Sequence, residues 1–259
     1  MKITILGCGN SLGVPVIGCD CAVCTSSHPK NKRLRVSVAV EVGGKTLIID
    51  TSPDFRQQML SNDIKKIDAV LYTHDHADHV HGIDDLRAFN FGNDCPIPIY
   101  GNDTTISSLK NRFYYAFLQL KPTKNAVFCP NLAPNSLGGE AVVEFMIGDI
   151  KITAFEQNHG KTKSLGYRIG DFAYSTDVDN LPESAFLVLK GVKTWVVDCL
   201  RYEPSYSHAN LEKTTGWIER VQPKRAILTH MAHEFDYEKL SAELPDGIFA
   251  GYDGMILEL

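Results

Sequence analysis

No stretch of this sequence reaches 18 consecutive apolar residues, the length a helix needs to cross a bilayer, so no membrane partner is expected. Basic charge is not in surplus either: 26 Lys and Arg face 31 Asp and Glu, a formal charge of −5. Proteins that live on phosphate-backbone contacts usually carry a positive field, and its lack disfavours nucleic acid as the main partner. The start, Met1-Lys2-Ile3-Thr4-Ile5-Leu6-Gly7-Cys8, lacks the basic region and small-residue cleavage site of a signal peptide and reads as a strand. Fixed-period repeats, low-complexity tracts and composition breaks are missing, as is a P-loop for nucleotide phosphates. Cysteines number seven, and an odd count fits a disulfide framework poorly in a chain this long. A cytoplasmic location is expected, and nothing in the composition excludes a homodimer.

What is present is ordinary globular material. With 44% hydrophobic and 22% charged residues, the 259 residues can bury a sizeable core, and one domain over residues 1–259 is the default expectation. Apolar alternation predicts strands within 2–8 and 34–50, Gly43-Gly44 being a hairpin turn. Residues 67–73 read as a buried strand, followed by a polar loop and a helix near 83–90. Residues 104–118 look helical, and the stretch from Lys121 to Gly139, with three prolines, reads as a long loop or lid. Strands follow at 141–147, 150–156, 165–170, 172–176, 193–199 and 225–229, with helices near 182–190 and 209–221, the second a β-α-β crossover. Hairpins followed by mixed β and α in each half predict an α/β fold of four layers, an αββα sandwich.

The chemistry concentrates in Thr73-His74-Asp75-His76-Ala77-Asp78-His79, three imidazoles and two carboxylates in six residues directly after an apolar strand. Neutral imidazole and carboxylate are the usual donors for zinc and related divalent metals, and a loop can turn alternate side chains toward different ions. A solvated polar loop is the bland alternative, and it does not account for this density of histidine. Farther on stand His159, Asp177 and His230, each at the end of a predicted strand. Taken singly, each is better explained by a hydrogen-bonded structural role.

The His-x-His-x-Asp-His spacing at a strand end, followed in order by a lone His, an Asp and a final His, resembles the metallo-β-lactamase superfamily over essentially the whole chain. That resemblance implies the four-layer fold and a two-metal hydrolytic site. It implies that His74, His76 and His159 hold one metal, that Asp78, His79 and His230 hold the other, and that Asp177 bridges them. Two cations roughly 3.5–4 Å apart lower the pKa of a shared water toward about 7 and clamp phosphoryl or carbonyl oxygens, so no side-chain nucleophile is needed. The resemblance makes Asp78 and Asp177 expected catalytic side chains.

Three cysteines, Cys19, Cys21 and Cys24, fall within six residues, and His233 lies three beyond His230. Three thiolates and one imidazole make a closed tetrahedral zinc site, although compact spacing with a remote fourth ligand also fits free thiols in a loop. This combination is similar to the PhnP-type phosphodiesterases, which act on phosphoribosyl cyclic phosphate. The similarity implies an extra structural zinc at Cys19, Cys21, Cys24 and His233, and a role for His208 at the scissile phosphate. An imidazolium there can stabilise phosphorane-like charge or protonate the leaving oxygen. The glycine-rich Gly7–Gly13 reads as a turn bordering the site, able to offer N–H groups to a phosphate, while His81, Asp84 and Asp85 suggest helix-start or supporting roles.

The expected function is therefore hydrolysis of a small cyclic phosphate or nucleotide-like diester by two catalytic divalent metals, zinc or manganese, beside one structural zinc. The competing readings are a tRNA 3′-processing nuclease, a non-catalytic PqqB-like accessory protein, and another reaction hosted by the same fold. Only 17 residues, 160–176, separate His159 from Asp177, enough for two short strands and too few for an RNA-binding arm.

Overall fold

Several strands bury apolar side chains on both faces, and that double burial sets the architecture. In β2 (Ser37–Val42), Val38 and Val40 enter one apolar cluster while Ala39 enters another. β3 (Lys45–Ile49) splits Leu47 and Ile49 from Ile48, and β4 (Ala69–Leu71) splits Ala69 and Leu71 from Val70, in the same sense. A sheet covered by a second sheet on one face and by helices on the other needs this pattern.

The structure is a computed structural model describing residues 1–91, 95–118 and 129–259. The remaining strands are β1 (Lys2–Gly7), β5 (Ile97–Gly101), β6 (Leu132–Ser136), β7 (Val142–Ile147), β8 (Ile150–His159), β9 (Thr162–Ile169), β10 (Phe172–Ser175), β11 (Thr194–Asp198), β12 (Arg225–Thr229), β13 (Ile248–Ala250) and β14 (Ile256–Glu258). Among the described residues they form two seven-stranded sheets, ordered β14-β1-β2-β3-β4-β5-β6 and β13-β12-β11-β10-β9-β8-β7. The helices are α1 (Phe55–Ser61), α2 (Ala77–Val80), α3 (Asp103–Arg112), α4 (Glu183–Leu189), α5 (Leu211–Val221) and α6 (Tyr237–Glu243). The α/β sandwich expected from the pattern is the observed class.

The core between the sheets holds Ile3, Val38, Ile49, Phe155, Tyr167, Phe172, Tyr174 and Trp195. Phe55, Ile83 and Leu86 cover the outer face of the first sheet. Tyr167 also donates its hydroxyl to the Tyr72 carbonyl at 2.7 Å, a polar tie between the two layers. Strands β3 to β6 run parallel in one sheet and β10 to β13 in the other. Their carboxyl ends lead into Asp50, Thr73, Asp177, Asp198 and His230, which is where parallel sheets usually place ligands.

Three expectations need correction. The segment near 83–90 is a 3-10 helix, Ile83–Asn90, and the helix expected over 104–118 ends at Arg112, before a 3-10 turn at Tyr114–Phe117. Within the expected loop 121–139, residues 132–136 form β6; residues 121–128 lie outside the described residues.

Candidate metal centre

β4 ends at Leu71, and the chain bends at Thr73 before α2 begins at Ala77, with His76 in the N-cap position at φ −64° and ψ 153°. In this run His74 turns inward and is buried while His76 stays exposed; the first turn of α2 then carries Asp78 and His79 inward. From the other sheet come His159 at the end of β8, Asp177 two residues beyond β10, and His230 immediately after β12. They converge as two donor sets sharing one carboxylate, His74, His76, His159 and Asp177 beside Asp78, His79, Asp177 and His230. Within each set the donor atoms lie within 4.8 Å of one another.

Asp177 divides its oxygens between the sets. Its Oδ1 lies 3.9 Å from His74 Nε2 and 3.6 Å from His159 Nε2, while Oδ2 lies 3.1 Å from His79 Nε2 and 3.5 Å from His230 Nε2. Three of these nitrogens, Nε2 of His74, His79 and His230, are buried with no hydrogen-bond partner among the described residues. A buried nitrogen left without a partner costs about 1–3 kcal/mol, and three aimed at one point are what a cation would satisfy. The donor chemistry, imidazole and carboxylate, fits divalent metals.

The opposite ring edges are held. His79 Nδ1 lies 2.7 Å from the buried Asp50 Oδ2, and His74 Nδ1 lies 3.0 Å from Thr73 Oγ1. Thr73 in turn donates to Asp50 from its hydroxyl at 2.7 Å and its backbone N–H at 2.8 Å. His159 Nδ1 donates to the Ser207 carbonyl at 2.7 Å. Fixing one ring nitrogen sets the tautomer and direction of the other. The backbone is strained to the same end: Asp50, Asp177 and His230 adopt positive φ of 63°, 53° and 59°. Left-handed backbone at a residue other than glycine costs of order 1–3 kcal/mol and is concentrated at functional sites.

Burial alone would push the Asp177 carboxyl up, but the charges of His230 and His79 outweigh it and hold it well below the usual carboxylate range. Asp78 is likewise lowered, burial being overcome by His79 and His230. Burial, together with the charge of His79, drives His74 well below the ordinary histidine value, leaving it neutral and able to donate a lone pair.

His208 stands outside both sets. Its Nδ1 meets the fully buried Asp198 Oδ2 at 3.1 Å, and its Nε2 lies 3.9 Å from Asp177 Oδ1. Its ring stacks on His230 with centroids 4.5 Å apart. Burial lowers its pKa, but the charge of Asp198, the hydrogen bond to it and Asp177 prevail and raise it to about 9.

The cysteine cluster assembles as expected. Sγ of Cys19, Cys21 and Cys24 lies 3.3, 3.5 and 3.5 Å from His233 Nδ1. Two backbone N–H groups point at sulfur, Val16 to Cys24 at 3.3 Å and Cys24 to Cys21 at 3.4 Å, an arrangement that favours thiolate. That N–H of Cys24, which outweighs burial, and the neighbouring thiols and His233 lower Cys21 to about 6, whereas burial pushes Cys24 up to about 11. The buried Arg33 pins the loop carrying His233 by donating to the carbonyls of Ala232 at 3.2 Å and Phe235 at 2.7 Å.

The glycine-rich turn does not fill its expected role. The N–H groups of Cys8, Gly9, Asn10, Leu12 and Gly13 are already given to Asp253, Leu34, Met231, Asn10 Oδ1 and the Asn10 carbonyl, which leaves little for a phosphate. Gly9-Asn10-Ser11-Leu12-Gly13 also has the spacing of a serine-hydrolase nucleophile elbow. No α-helix follows it, and Ser11 is exposed without a side-chain hydrogen bond among the described residues, so it is a turn. His81 meets Arg112 at 2.7 Å and Asp84 meets Tyr115 at 2.9 Å, both away from the donor sets. Asp50 and Asp198 were missed, although both end an apolar strand as the donors do.

A β-sandwich with paired His/Asp donor sets at its carboxyl-terminal edge defines a metal-dependent hydrolase. Residues 45–231 match the family described as "Beta-lactamase superfamily domain", and the chain belongs to that superfamily. A crystal structure of a new diphosphatase from the PhnP family superposes with a TM-score of 0.90 at 38% identity, over 99% of this chain and 96% of that one. Zinc-bound PqqB from Methylobacterium extorquens has a TM-score of 0.79 at 20% identity, with 100% of each chain covered, a likeness of fold. An octanoyltransferase of Porphyromonas gingivalis is 33% identical over 98% of this chain, which spans 51% of that protein's length.

Proposed function

We propose that the chain is a two-metal phosphodiesterase acting on a small cyclic phosphate or nucleotide-like diester, phosphoribosyl 1,2-cyclic phosphate being one candidate. The observation that carries this reading is His208, an imidazole outside both donor sets, fixed by Asp198 and directed at the carboxylate the sets share.

His74, His76, His159 and Asp177 would hold one divalent cation, zinc or manganese, and Asp78, His79, His230 and Asp177 the second. Bound there, the pair supplies an activated water and neutralises charge on the phosphate oxygens. Cys19, Cys21, Cys24 and His233 would hold a structural zinc. The chain's own residues do the rest. Asp50, Thr73 and Ser207 hold the imidazoles in place, so no ring has to reorient during reaction. Asp198 engages His208 Nδ1, which leaves Nε2 to carry a proton toward a phosphoryl oxygen or the departing alkoxide. His76, the exposed donor, marks the side from which substrate enters.

Small substrates are favoured over tRNA because β9 and β10 fill the interval between His159 and Asp177 with paired strand and leave no arm there. We place this enzyme in the cytoplasm, without nucleic-acid or membrane partners and with a homodimer as a compatible assembly. An accessory role of the PqqB kind could use the metal donors but gives no purpose to the pairing of His208 with Asp198. Octanoyl transfer is named for a relative about twice this length, and the arrangement here favours hydrolysis.

Metal-depleted protein is expected to lose turnover of bis(p-nitrophenyl) phosphate and to regain it on addition of zinc or manganese. Asp177→Ala and His76→Ala should abolish turnover with circular dichroism unchanged. Full activity in metal-free protein would refute the reading, as would efficient processing of precursor tRNA alongside inert cyclic phosphates.

A further inference from the structure

Tyr206 sits two residues before His208 and is 70% exposed. Its ring lies against Gly160, the residue after His159. A Cβ at Gly160 would meet Tyr206 Cε1 at 2.9 Å and Ser207 Cβ at 3.1 Å, and the φ of +59° there also calls for glycine. One part of the ring is therefore seated on bare backbone beside a metal-donor histidine, while much of the rest faces water. The phenol makes no hydrogen bond among the described residues, in contrast to Tyr202 of the same loop, whose hydroxyl donates to Glu243 at 2.9 Å.

The loop is held from several directions. Ser207 accepts from His159 Nδ1 at 2.7 Å, Arg201 donates to the Pro204 carbonyl at 3.1 Å, and Asn210 donates to the Tyr202 carbonyl at 3.0 Å. Ala209 N donates to the Val178 carbonyl at 2.7 Å. An exposed aromatic on a braced loop loses little freedom when a second ring lies on it. His76, His159 and His208 form a continuous row of rings, with centroids 5.0 Å apart for the first pair and 4.7 Å for the second, and Tyr206 rests on Gly160, the residue next to the middle member.

We propose that Tyr206 is a stacking platform for an aromatic ring carried by the substrate, which makes a nucleoside phosphodiester the substrate class. The inference rests on the phosphodiesterase reading above. A bare sugar phosphate has no ring to place there, whereas every nucleobase offers a π-face without demanding a particular hydrogen bond.

The test compares adenosine 2′,3′-cyclic phosphate, which carries the ring, with glycerol 1,2-cyclic phosphate, which does not, on the zinc- or manganese-loaded enzyme. In the parent, kcat/KM should favour the adenosine substrate. Tyr206→Ala should cut that preference by roughly 5–150-fold, through KM, and Tyr206→Phe should keep it within about twofold. Calorimetric binding of AMP against ribose 5-phosphate supplies a readout free of turnover, and the same loss of preference is expected in Tyr206→Ala. Loss of AMP preference in Tyr206→Ala supports the platform even where neither cyclic phosphate is hydrolysed, an outcome that refutes the phosphodiesterase reading instead. A parent that binds AMP no better than ribose 5-phosphate, or a Tyr206→Ala protein with the parent's preference, overturns the platform.

Discussion

Asp198→Asn keeps the shape of a buried side chain and removes its charge. The carboxylate accepts from Val178 N at 3.0 Å and meets His208 Nδ1 at 3.1 Å, while Thr214 braces the same residue by donating to its carbonyl at 2.6 Å. A hydrogen bond involving a charged group contributes about 1.5–3 kcal/mol, so a misdirected His208 should slow kcat by roughly 10–150-fold. His208→Ala should cost more, roughly 10²–10⁴. If Asp198 acts through His208, the double variant will be as slow as His208→Ala alone, within about 0.5 kcal/mol. Metal content, measured by atomic emission, should stay at the parent level, since Asp198 Oδ1 is 3.7 Å from His230 Nδ1, beyond hydrogen-bond reach. The assay is single-turnover hydrolysis of a diester with an alkyl leaving group, where a proton donor matters most. Multiplicative losses in the double variant, or loss of metal in Asp198→Asn, would refute the positioning role.

Metal analysis of protein prepared without chelators should find about three ions per chain, and Cys21→Ser should lower the melting temperature and remove about one of them while changing the intrinsic chemistry far less. Unchanged melting temperature and metal content in a variant that has lost activity would exclude a structural role for that cluster. Asp253 makes a pH-dependent prediction. Burial, partly offset by the N–H groups of Leu34 and Cys8, pushes it up to about 7, from an ordinary value near 3.9. Because its folded pKa is raised, the stability it contributes is complete below about pH 4 and is lost as pH rises through about 7. Asp253→Asn cannot ionise, so its stability relative to the parent should improve by up to about 4 kcal/mol between pH 4 and 8. Denaturant midpoints at both pH values measure this, metal-linked effects cancelling in the difference, and a flat difference would refute it.

The donor residues were legible in sequence because metal chemistry restricts residue type and the first four sit in one short loop. The fold was legible where burial leaves a period, as in Val38, Ala39 and Val40, whose alternate faces enter different clusters. β6 was not, because Pro134 speaks against a strand; the strand is tolerated because, among the described residues, β6 is the last in its sheet and pairs with β5 alone. Asp50 and Asp198 were invisible for another reason. Asp50 meets His79, 29 residues on, only once parallel β3 and β4 bring their ends together, and Asp198 meets His208, 10 residues on, only once the loop after β11 folds back on itself. The turn at Gly9–Gly13 shows the converse: a spacing with a known chemical meaning loses it when the following chain does not enter a helix.

The donors are drawn from both layers. His74, His76, Asp78 and His79 follow a strand of one sheet, and His159, Asp177 and His230 follow strands of the other. Cations held between them would act as a clasp along one edge of the sandwich, fastening two leaves that elsewhere meet largely through apolar contact. Empty protein should then breathe at that edge. Amide hydrogens at the carboxyl ends of β4, β10 and β12 are expected to exchange faster when metal is stripped, with those in mid-strand little altered, so the catalytic ions would also decide how far the two leaves can part.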